Sequence, residues 1–257
     1  MSTINYETHD HVAVLTIQSP PANALTRNLL NDLKDYMDKL ETDSTIKAVV
    51  LKGEGKFFSA GADVKEFTAL QNASDYQSLS QKGQELFNQI ERFSIPVIAA
   101  IHGAALGGGL ELAMACHIRI VTEEAKLGLP EVTLGILPGF AGTQRLPQHV
   151  GAAKAYEMIL TGEPISGKEA KTVGLANQTV KDGEAFDKAY ELAGTIASRS
   201  RLSINAVMGL IPYAKSEQFE TGVQEEAKAF ADIFGSEDAK EGINAFLDKR
   251  KPDFQDK

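Results

Sequence analysis

Residues 96–113 read PVIAAIHGAALGGGLELA, an apolar run followed by a glycine-rich turn and a second apolar run. Residues 96–101 carry no polar side chain, which is typical of a strand covered on both faces in a parallel sheet. The second run, 110–116, is predicted as a buried helix. Free N–H groups at the start of such a helix, without Cβ atoms around them, form a natural receptor for an oxyanion or a phosphate. A flexible connector is the alternative interpretation of the glycines.

The residues before this stretch predict alternating strands and helices. A β-branched run at 11–17 ends at two prolines and is predicted as a strand. Apolar residues then recur at helical spacing from Leu29 to Leu40, and the unbroken apolar run 48–51 is predicted as a second buried strand. The chain therefore opens as β-α-β, and a further helix is expected at 76–93.

The residues after this stretch predict one short strand and then mainly helices. A strand is expected at 117–121, and strand signals become sparse beyond Pro138. Helical patterns are expected at 152–160, 184–198, 203–213, 219–234 and 237–249. The sequence thus predicts an α/β core followed by a helical C-terminal part.

Composition and charge limit the classes of partner. The chain has 257 residues, of which 43% are hydrophobic and 24% charged, as expected for one globular domain with a large core. Its formal net charge is -9 and no dense Lys/Arg block is present, so nucleic acid is disfavoured as a partner. An anionic small ligand stays open, since a few basic side chains and backbone N–H groups suffice to bind phosphate.

Cysteine and histidine content predicts neither a disulfide nor a metal site. Cys116 is the only cysteine, which fits a reducing compartment, and we interpret it as a small buried side chain. His9 and His11 have an alternate spacing that suits chelation on a strand, but no third ligand lies nearby in sequence. No secretory signal and no membrane-length apolar run is visible, so a cytoplasmic protein without membrane contact is expected.

A second turn of small residues, FSAGAD at 58–63, follows the other buried strand, 48–51. Ligands of open α/β sheets bind beyond the carboxyl ends of strands, so both turns are candidate binding sites. Small residues allow a ligand to approach the backbone, and Asp63 is a candidate helix cap. A tight loop packed for steric reasons is the alternative interpretation.

The two turns do not match three common functional motifs. Gly103 is followed by two alanines and Leu106, so the Gly-x-Gly-x-x-Gly pattern of dinucleotide-binding proteins is not met. Neither turn ends in Gly-Lys-Ser/Thr, and neither presents the serine of a Gly-x-Ser-x-Gly elbow. The sequence therefore disfavours a dehydrogenase, a P-loop ATPase and a serine hydrolase.

Glu111 and Glu131 are the candidate chemical groups. Glu111 falls in the first turn of the apolar helix, where a glutamate needs a partner or a task, and Glu131 follows Pro130 between apolar residues. Burial raises the pKa of a carboxyl group toward neutrality, where it both donates and accepts protons. The sequence alone does not bring the two residues together, and a capping or solvated glutamate is the alternative for each.

Six short motifs occur in order between residues 59 and 146. They are SAGADVK at 59–65, PVIAAIHG at 96–103, ALGGGLELA at 105–113, PEV at 130–132, LGILPG at 134–139 and GTQRL at 142–146. Together they resemble the enoyl-CoA hydratase (crotonase) family. Several spaced motifs in the right order are much more specific than any one of them.

The resemblance implies both a fold and an assembly. The implied fold is α/β, a crotonase-like ββα spiral core at 1–195 followed by a C-terminal helical trimerisation region at 196–257. The implied assembly is a homotrimer or a homohexamer built as a dimer of trimers. The amide N–H groups of Ala62 and Gly108 are implied to form an oxyanion hole. Residues implied to bind the substrate and its CoA moiety are Ala60, Ala62, Asp63, Val64, Lys65 and Gly139.

The resemblance also implies a reaction, the hydration of trans-2-enoyl-CoA thioesters to 3-hydroxyacyl-CoA in fatty-acid or branched-chain acyl degradation. Glu111 is implied to orient and deprotonate the water that attacks Cβ, and Glu131 to exchange the proton at Cα. Coenzyme A is part of the substrate, and no metal or redox cofactor is implied. An enoyl-CoA double-bond isomerase of the same family is the alternative, followed by a noncatalytic binding or assembly protein on this fold.

Two positions depart from the family pattern. His117 stands where the family often has aspartate, which we interpret as a structural variation at the helix exit. Phe140 lies in a stretch that is richer in glycine or alanine in relatives, and it is expected to narrow or line the acyl pocket.

Overall fold

The computed structural model describes residues 2–63, 73–215, 219–234 and 236–257, in which strands and helices alternate up to residue 180 and helices follow. The strands are β1 (Ile4–His9), β2 (Val12–Ile17), β3 (Ala48–Gly53), β4 (Val97–Ile101), β5 (Ala104–Leu106), β6 (Ile118–Thr122), β7 (Lys126–Gly128), β8 (Ile165–Ser166) and β9 (Gln178–Val180). The helices are α1 (Arg27–Thr42), α2 (Ala73–Glu91), α3 (Gly108–Ala115), α4 (Gly142–Val150), α5 (Ala152–Thr161), α6 (Gly167–Thr172), α7 (Ala185–Ala197), α8 (Arg201–Leu210), α9 (Phe219–Phe234) and α10 (Glu237–Leu247). Two short 3₁₀ helices cover Pro130–Leu134 and Ile211–Lys215.

The larger sheet has six strands in the order β1-β2-β3-β4-β6-β9. All neighbours are parallel except β1, which forms an antiparallel hairpin with β2. Successive side chains of a strand point to opposite faces, and both faces of this sheet are covered. On one face, Val50 and Ile98 pack with the alanine stripe of α7, while Leu51 and Ala99 belong to the main core on the other face.

The smaller sheet determines the position of the glycine-rich turn, because β5 leads directly into it. It has the order β5-β7-β8, and β5 follows β4 after only two residues. The chain therefore changes sheet at His102 and Gly103 and then enters α3. The second predicted turn lies alongside, because Phe58 N–H donates to the His102 carbonyl at 3.1 Å.

The secondary-structure prediction was right for the long elements and missed several short ones. The hairpin strand β1 was not predicted, nor were β5, β7, β8 and β9 or the helices α4 and α6. The missed strands β5, β7, β8 and β9 have three residues or fewer, which is too short for a periodic pattern, and α4 contains Pro147. The predicted boundary at 195/196 falls in the last turn of α7, and the division into two regions stays a prediction.

The buried position expected for Cys116 is confirmed, and the thiol is free. His9 ends β1, whereas His11 lies beyond it in the β1–β2 turn with φ 67°. The His11 ring atom Nδ1 lies 2.7 Å from the Thr45 carbonyl. Among the described residues, no group of three His, Cys, Asp or Glu side chains has the arrangement of a metal site. No described helix combines the length and apolar character needed to cross a membrane.

Gly103 makes the close contact between the two turns, which gives a test of the fold. With φ at +61°, a Cβ atom on Gly103 would lie 1.8 Å from the Lys56 carbonyl oxygen. Gly55 has a similar φ of +76°, but nothing lies within 4 Å of its Cβ position. We expect Gly55→Ala to cost about 1 kcal/mol of unfolding free energy through backbone strain, and Gly103→Ala to cost several times more. Urea denaturation measures both, and equal losses would contradict the close packing of the two turns.

Candidate active site

The turn at 58–63 runs beside β5 and brings the two predicted binding segments together. Ser59 N–H donates to the Ala104 carbonyl at 3.1 Å, and Leu106 N–H donates to the Ser59 carbonyl at 3.0 Å. The Ser59 hydroxyl is fully buried and donates to the Asn23 carbonyl at 2.7 Å. The short strand pairing thus fixes the register of Ala62 relative to the start of α3.

Two backbone N–H groups at this junction are unused by the protein. Leu25 pairs with Ala62, and Leu25 Cδ1 lies 3.2 Å from the position that a Cβ atom on Gly108 would take. A Cβ atom on Gly61 would lie 3.4 Å from Gly108 N, so the residue before Ala62 is next to that amide. Within the described residues, neither Ala62 N–H nor Gly108 N–H donates to a protein acceptor. Both are therefore available as donors to a ligand oxygen.

Glu111 projects from the first turn of α3 into the protein interior, where it is 1% exposed. Its Oε1 accepts hydrogen bonds from Phe140 N–H at 2.8 Å and from Gly142 N–H at 2.7 Å. Ala141, between them, has the left-handed φ of 72°. Such a turn aims alternate amides at one point and forms an anion-binding concavity. The loop before α4 therefore holds the Glu111 carboxyl group in one orientation.

Glu131 approaches the same helix start from the 3₁₀ helix that begins at Pro130. Gly107 has a φ of +51°, and a Cβ atom on it would lie 2.9 Å from Glu131 Oε1, so a larger residue would strain the backbone and displace this carboxyl group. Its other oxygen, Oε2, is buried and has no hydrogen-bond partner. A buried polar atom without a partner is costly, which is typical of a group arranged to meet a ligand.

The environment makes both carboxyl groups weaker acids than usual. Burial, and then repulsion from the Glu131 charge, raises the pKa of Glu111 from 4.5 to about 7. The two N–H donors and the Arg145 charge oppose this rise. Burial likewise raises the pKa of Glu131. The Glu131 charge thus adds to the effect of burial on Glu111, and both carboxyl groups favour the protonated form more than a solvated glutamate does.

The other predicted binding residues differ in what the structure says of them. Ala60 is exposed, and its N–H donates to the Ala22 carbonyl at 3.0 Å, while Asp63 is half-buried. The Gly139 carbonyl accepts hydrogen bonds from Ser80 and Gln84 of α2. Val64 and Lys65 lie outside the described residues. The assignment of these residues to substrate binding stays a prediction.

The two departures from the family pattern have simple structural counterparts. His117 Nδ1 accepts a hydrogen bond from Val97 N–H at 2.9 Å, a bond for which aspartate also has an acceptor oxygen. The buried Phe140 ring packs edge-on against Phe87, with ring centroids 5.4 Å apart. It also fills the space over Gly83, where a Cβ atom would lie 2.4 Å from Phe140 Cδ1.

The residues that support Glu111 are not predictable from the sequence. The amides of Phe140 and Gly142 belong to a segment that was noticed only for its side chains, and Arg145 was part of a motif without a role. Backbone donors give no side-chain signal in a sequence. The one hint was that a glutamate on an apolar helix needs a partner.

Comparison with known proteins finds one family along almost the whole chain. The family model described as enoyl-CoA hydratase/isomerase matches residues 7–257. A probable enoyl-CoA hydratase of Bacillus subtilis is 54% identical, with 99% of each chain covered, and a short-chain-enoyl-CoA hydratase of Clostridium acetobutylicum is 38% identical, with 98% and 97% covered.

Solved structures show the same likeness. DspI of Pseudomonas aeruginosa has a TM-score of 0.95 at 40% identity, covering 99% of this chain and 97% of the other. An enoyl-CoA hydratase of Bacillus anthracis has a TM-score of 0.94 at 36% identity, covering 99% of this chain and 100% of the other. These likenesses confirm the predicted α/β crotonase-like fold.

The raised pKa of Glu111 predicts a pH-dependent stability. Between pH 4.5 and about 7 the folded state holds a proton that the unfolded chain releases, so stability falls as pH rises through this window. A shift from 4.5 to about 7 corresponds to about 3 kcal/mol for this buried group. Glu111→Gln removes this titration. We expect the variant to gain stability relative to the unmodified chain as pH rises from 4 to 8.

Urea unfolding of both proteins across this pH range measures the difference. Glu163→Gln is a control, since Glu163 is exposed on the surface. A stability difference that is constant with pH for Glu111→Gln would contradict the raised pKa.

Proposed function

The chain belongs to the enoyl-CoA hydratase/isomerase family, and we propose that it adds water to trans-2-enoyl-CoA thioesters, giving 3-hydroxyacyl-CoA. It is an enzyme, and relatives named as enoyl-CoA hydratases match it over nearly their whole length. One observation carries the proposal. Two carboxyl groups with raised pKa values, Glu111 and Glu131, lie at the start of the helix whose first amide is unused.

The proposed chemistry uses the backbone for charge and the glutamates for protons. The thioester carbonyl oxygen accepts hydrogen bonds from Ala62 N–H and Gly108 N–H, which stabilise the negative charge that develops on it. Glu111 takes a proton from water as the water oxygen bonds to Cβ. Glu131 gives a proton to Cα as the double bond is lost. The net change is the addition of one water molecule, without oxidation or reduction.

We place the CoA moiety along the segment that begins at the 58–63 turn. Ala60, Ala62 and Asp63 lie there in the described part of the chain, and Val64 and Lys65 follow directly in sequence. Gly139 borders the Glu111 loop and is proposed on the acyl side. No metal or redox cofactor belongs to the proposal, because hydration needs only proton transfer and charge stabilisation.

The alternative is a double-bond isomerase, because the family model is described by both activities. An isomerase moves a proton between Cα and Cγ and needs one acid/base group near Cα. The presence of a second buried carboxyl group, Glu111, oriented by two amides, favours the hydratase.

The proposal extends to the oligomeric state of the protein, its pathway and its cellular compartment. A homotrimer, or a hexamer of two trimers, is supported by apolar side chains exposed on the monomer; those of Leu134, Leu137 and Leu160 are more than 60% exposed. A fatty-acid or branched-chain acyl pathway and a cytoplasmic location are supported by the acyl-CoA chemistry and by the unpaired Cys116.

The roles of the glutamates predict the effect of two isosteric changes. Glu111→Gln and Glu131→Gln each remove one proton-transfer group, so each is expected to lower kcat for crotonyl-CoA hydration by about 10²-fold to 10⁴-fold. Loss of the enoyl absorbance measures the rate. Glu163→Gln is the control and is expected to hydrate at the unmodified rate. Equal rates in all four proteins would overturn the catalytic proposal, and turnover of a 3-enoyl-CoA alone would establish the isomerase.

The packing of Phe140 predicts a preference for acyl-chain length. Its ring fills the space between Gly83 and Gly108, beside the loop that orients Glu111. Phe140→Ala opens this space, so kcat/KM is expected to rise for long enoyl chains relative to crotonyl-CoA. Phe186→Ala is a control, since that ring packs near Tyr190 on the other side of the sheet. An unchanged profile across C4 to C16 substrates would place the acyl chain elsewhere.

A further inference from the structure

A buried arginine lies behind the loop that orients Glu111. Arg145 of α4 is 4% exposed, and its guanidinium contacts three different partners. Nε pairs with Glu91 Oε2 at 3.0 Å, Nη2 donates to Asn88 Oδ1 at 2.6 Å, and Nη1 donates to the Phe140 carbonyl at 3.0 Å. The first two partners anchor the arginine to α2, and the third joins it to the loop.

The loop is held from two sides by complementary groups. Glu111 accepts from the N–H groups of Phe140 and Gly142. Arg145 binds the carbonyls of the same segment, since its side chain donates to the Phe140 carbonyl and its backbone N–H donates to the Ala141 carbonyl at 2.9 Å. The peptide between Ala141 and Gly142 thus bonds to Arg145 through its oxygen and to Glu111 through its nitrogen.

The peptide between Gly139 and Phe140 is also held at both its oxygen and its nitrogen, with the donors to the oxygen coming from α2. The Gly139 carbonyl accepts from Ser80 Oγ and from Gln84 Nε2. The N–H of that peptide is Phe140 N–H, which donates to Glu111. All three peptide carbonyls of residues 139–141 therefore have donors, which come from α2 and α4. Hydrogen bonds in such a chain polarise one another and strengthen the donors that face the carboxylate.

We propose that Arg145 is a positioning residue for Glu111: its side chain holds the Phe140 carbonyl, in the peptide that joins the two amides, and so helps to orient the glutamate for water activation. Arg145 does not touch the site itself. This inference rests on the proposed hydration reaction for its kinetic consequence, while its structural part is independent of the substrate. The charge on Arg145 also favours the ionised form of Glu111 that accepts a proton from water. It lowers the pKa of Glu111, whereas burial and the Glu131 charge raise it.

Arg119 is a matched control in the same protein. It is also 4% exposed, and its guanidinium donates to the carbonyls of Leu175, Ala113 and Cys116. Both arginines are therefore buried and bound to backbone oxygens. Only Arg145 is bonded to the loop that contacts Glu111, so a loss that is merely structural affects both alike.

The kinetic test compares Arg145→Gln, Arg145→Lys and Arg119→Gln in crotonyl-CoA hydration over a range of pH. For Arg145→Gln we expect a loss in kcat of about 10²-fold with a smaller change in KM, because a misplaced catalytic group costs rate more than binding. Arg145→Lys keeps the charge but not the planar fork that reaches three partners. It is expected to restore the pH profile more fully than kcat. Arg119→Gln is expected to retain the pH profile.

A second measurement is independent of activity. In a double-mutant cycle of Arg145→Gln and Glu111→Gln, urea unfolding gives the coupling between the two residues. Removing the Arg145 charge raises the pKa of Glu111, so the part of the pH-dependent stability loss that is due to Glu111 is expected to extend above pH 7 in Arg145→Gln and to be lost in the double variant. If Arg145→Gln does not fold, Asn88→Ala removes one anchor of the guanidinium and is expected to shift both readouts in the same direction.

The outcomes separate the two proposals. Equal kcat losses in Arg145→Gln and Arg119→Gln, with unchanged pH profiles and no coupling to Glu111, would overturn the positioning role. An unmodified chain that hydrates no enoyl-CoA would overturn the proposed function, and the stability cycle would still decide whether Arg145 positions Glu111.

Discussion

The pair of hydrogen bonds from Phe140 N–H and Gly142 N–H to Glu111 is the constraint on which the site depends. A carboxyl group in the apolar start of α3 has no water to solvate its charge, and leaving such a charge unpaired is very costly. Two amides from a left-handed turn supply the missing partners. In return, they fix where the carboxyl group points. Burial, like the neighbouring Glu131, raises its pKa, and the amides and Arg145 keep the ionised form accessible near neutrality.

The spiral arrangement of the strands explains why backbone groups converge at the same place. β4 continues into β5 after two residues, and the turn that follows β3 pairs with β5 through Ser59. The two turns are therefore adjacent because their strands are adjacent in the parallel sheet. The unused amides of Ala62 and Gly108 come from this backbone register and need no particular side chain. The proposed proton transfer, by contrast, needs side chains, and the candidate carboxyl groups come from α3 and from the 3₁₀ helix after β7.

The sequence was sufficient for most of the long elements, and it indicated Glu111 and Glu131 as candidates whose catalytic role stays a prediction. Uninterrupted apolar runs predicted the buried strands, and a glutamate on an apolar helix predicted a partner or a task. Its partners were not predictable, since Phe140 and Gly142 contribute N–H groups that every non-proline residue has. Gly107 illustrates the same limit. The three glycines predicted a site where a ligand approaches the backbone. Only the structure shows that Glu131 Oε1 lies next to Gly107.

Several features that lower the stability of the fold lie in one small region of the structure. Their clustering supports a functional role for this region. Glu131 Oε2 is buried without a partner, and Glu111 is buried with a raised pKa. Ala141 is the one apolar residue among the described non-glycine residues with positive φ. Each feature lowers stability, and such strain persists only where the surroundings fix it. Here α2 and α4 provide that support through Arg145 and the bonded carbonyls. The stability of the helices around the loop thus maintains the buried carboxyl groups and the left-handed turn, which would otherwise relax to a more stable arrangement.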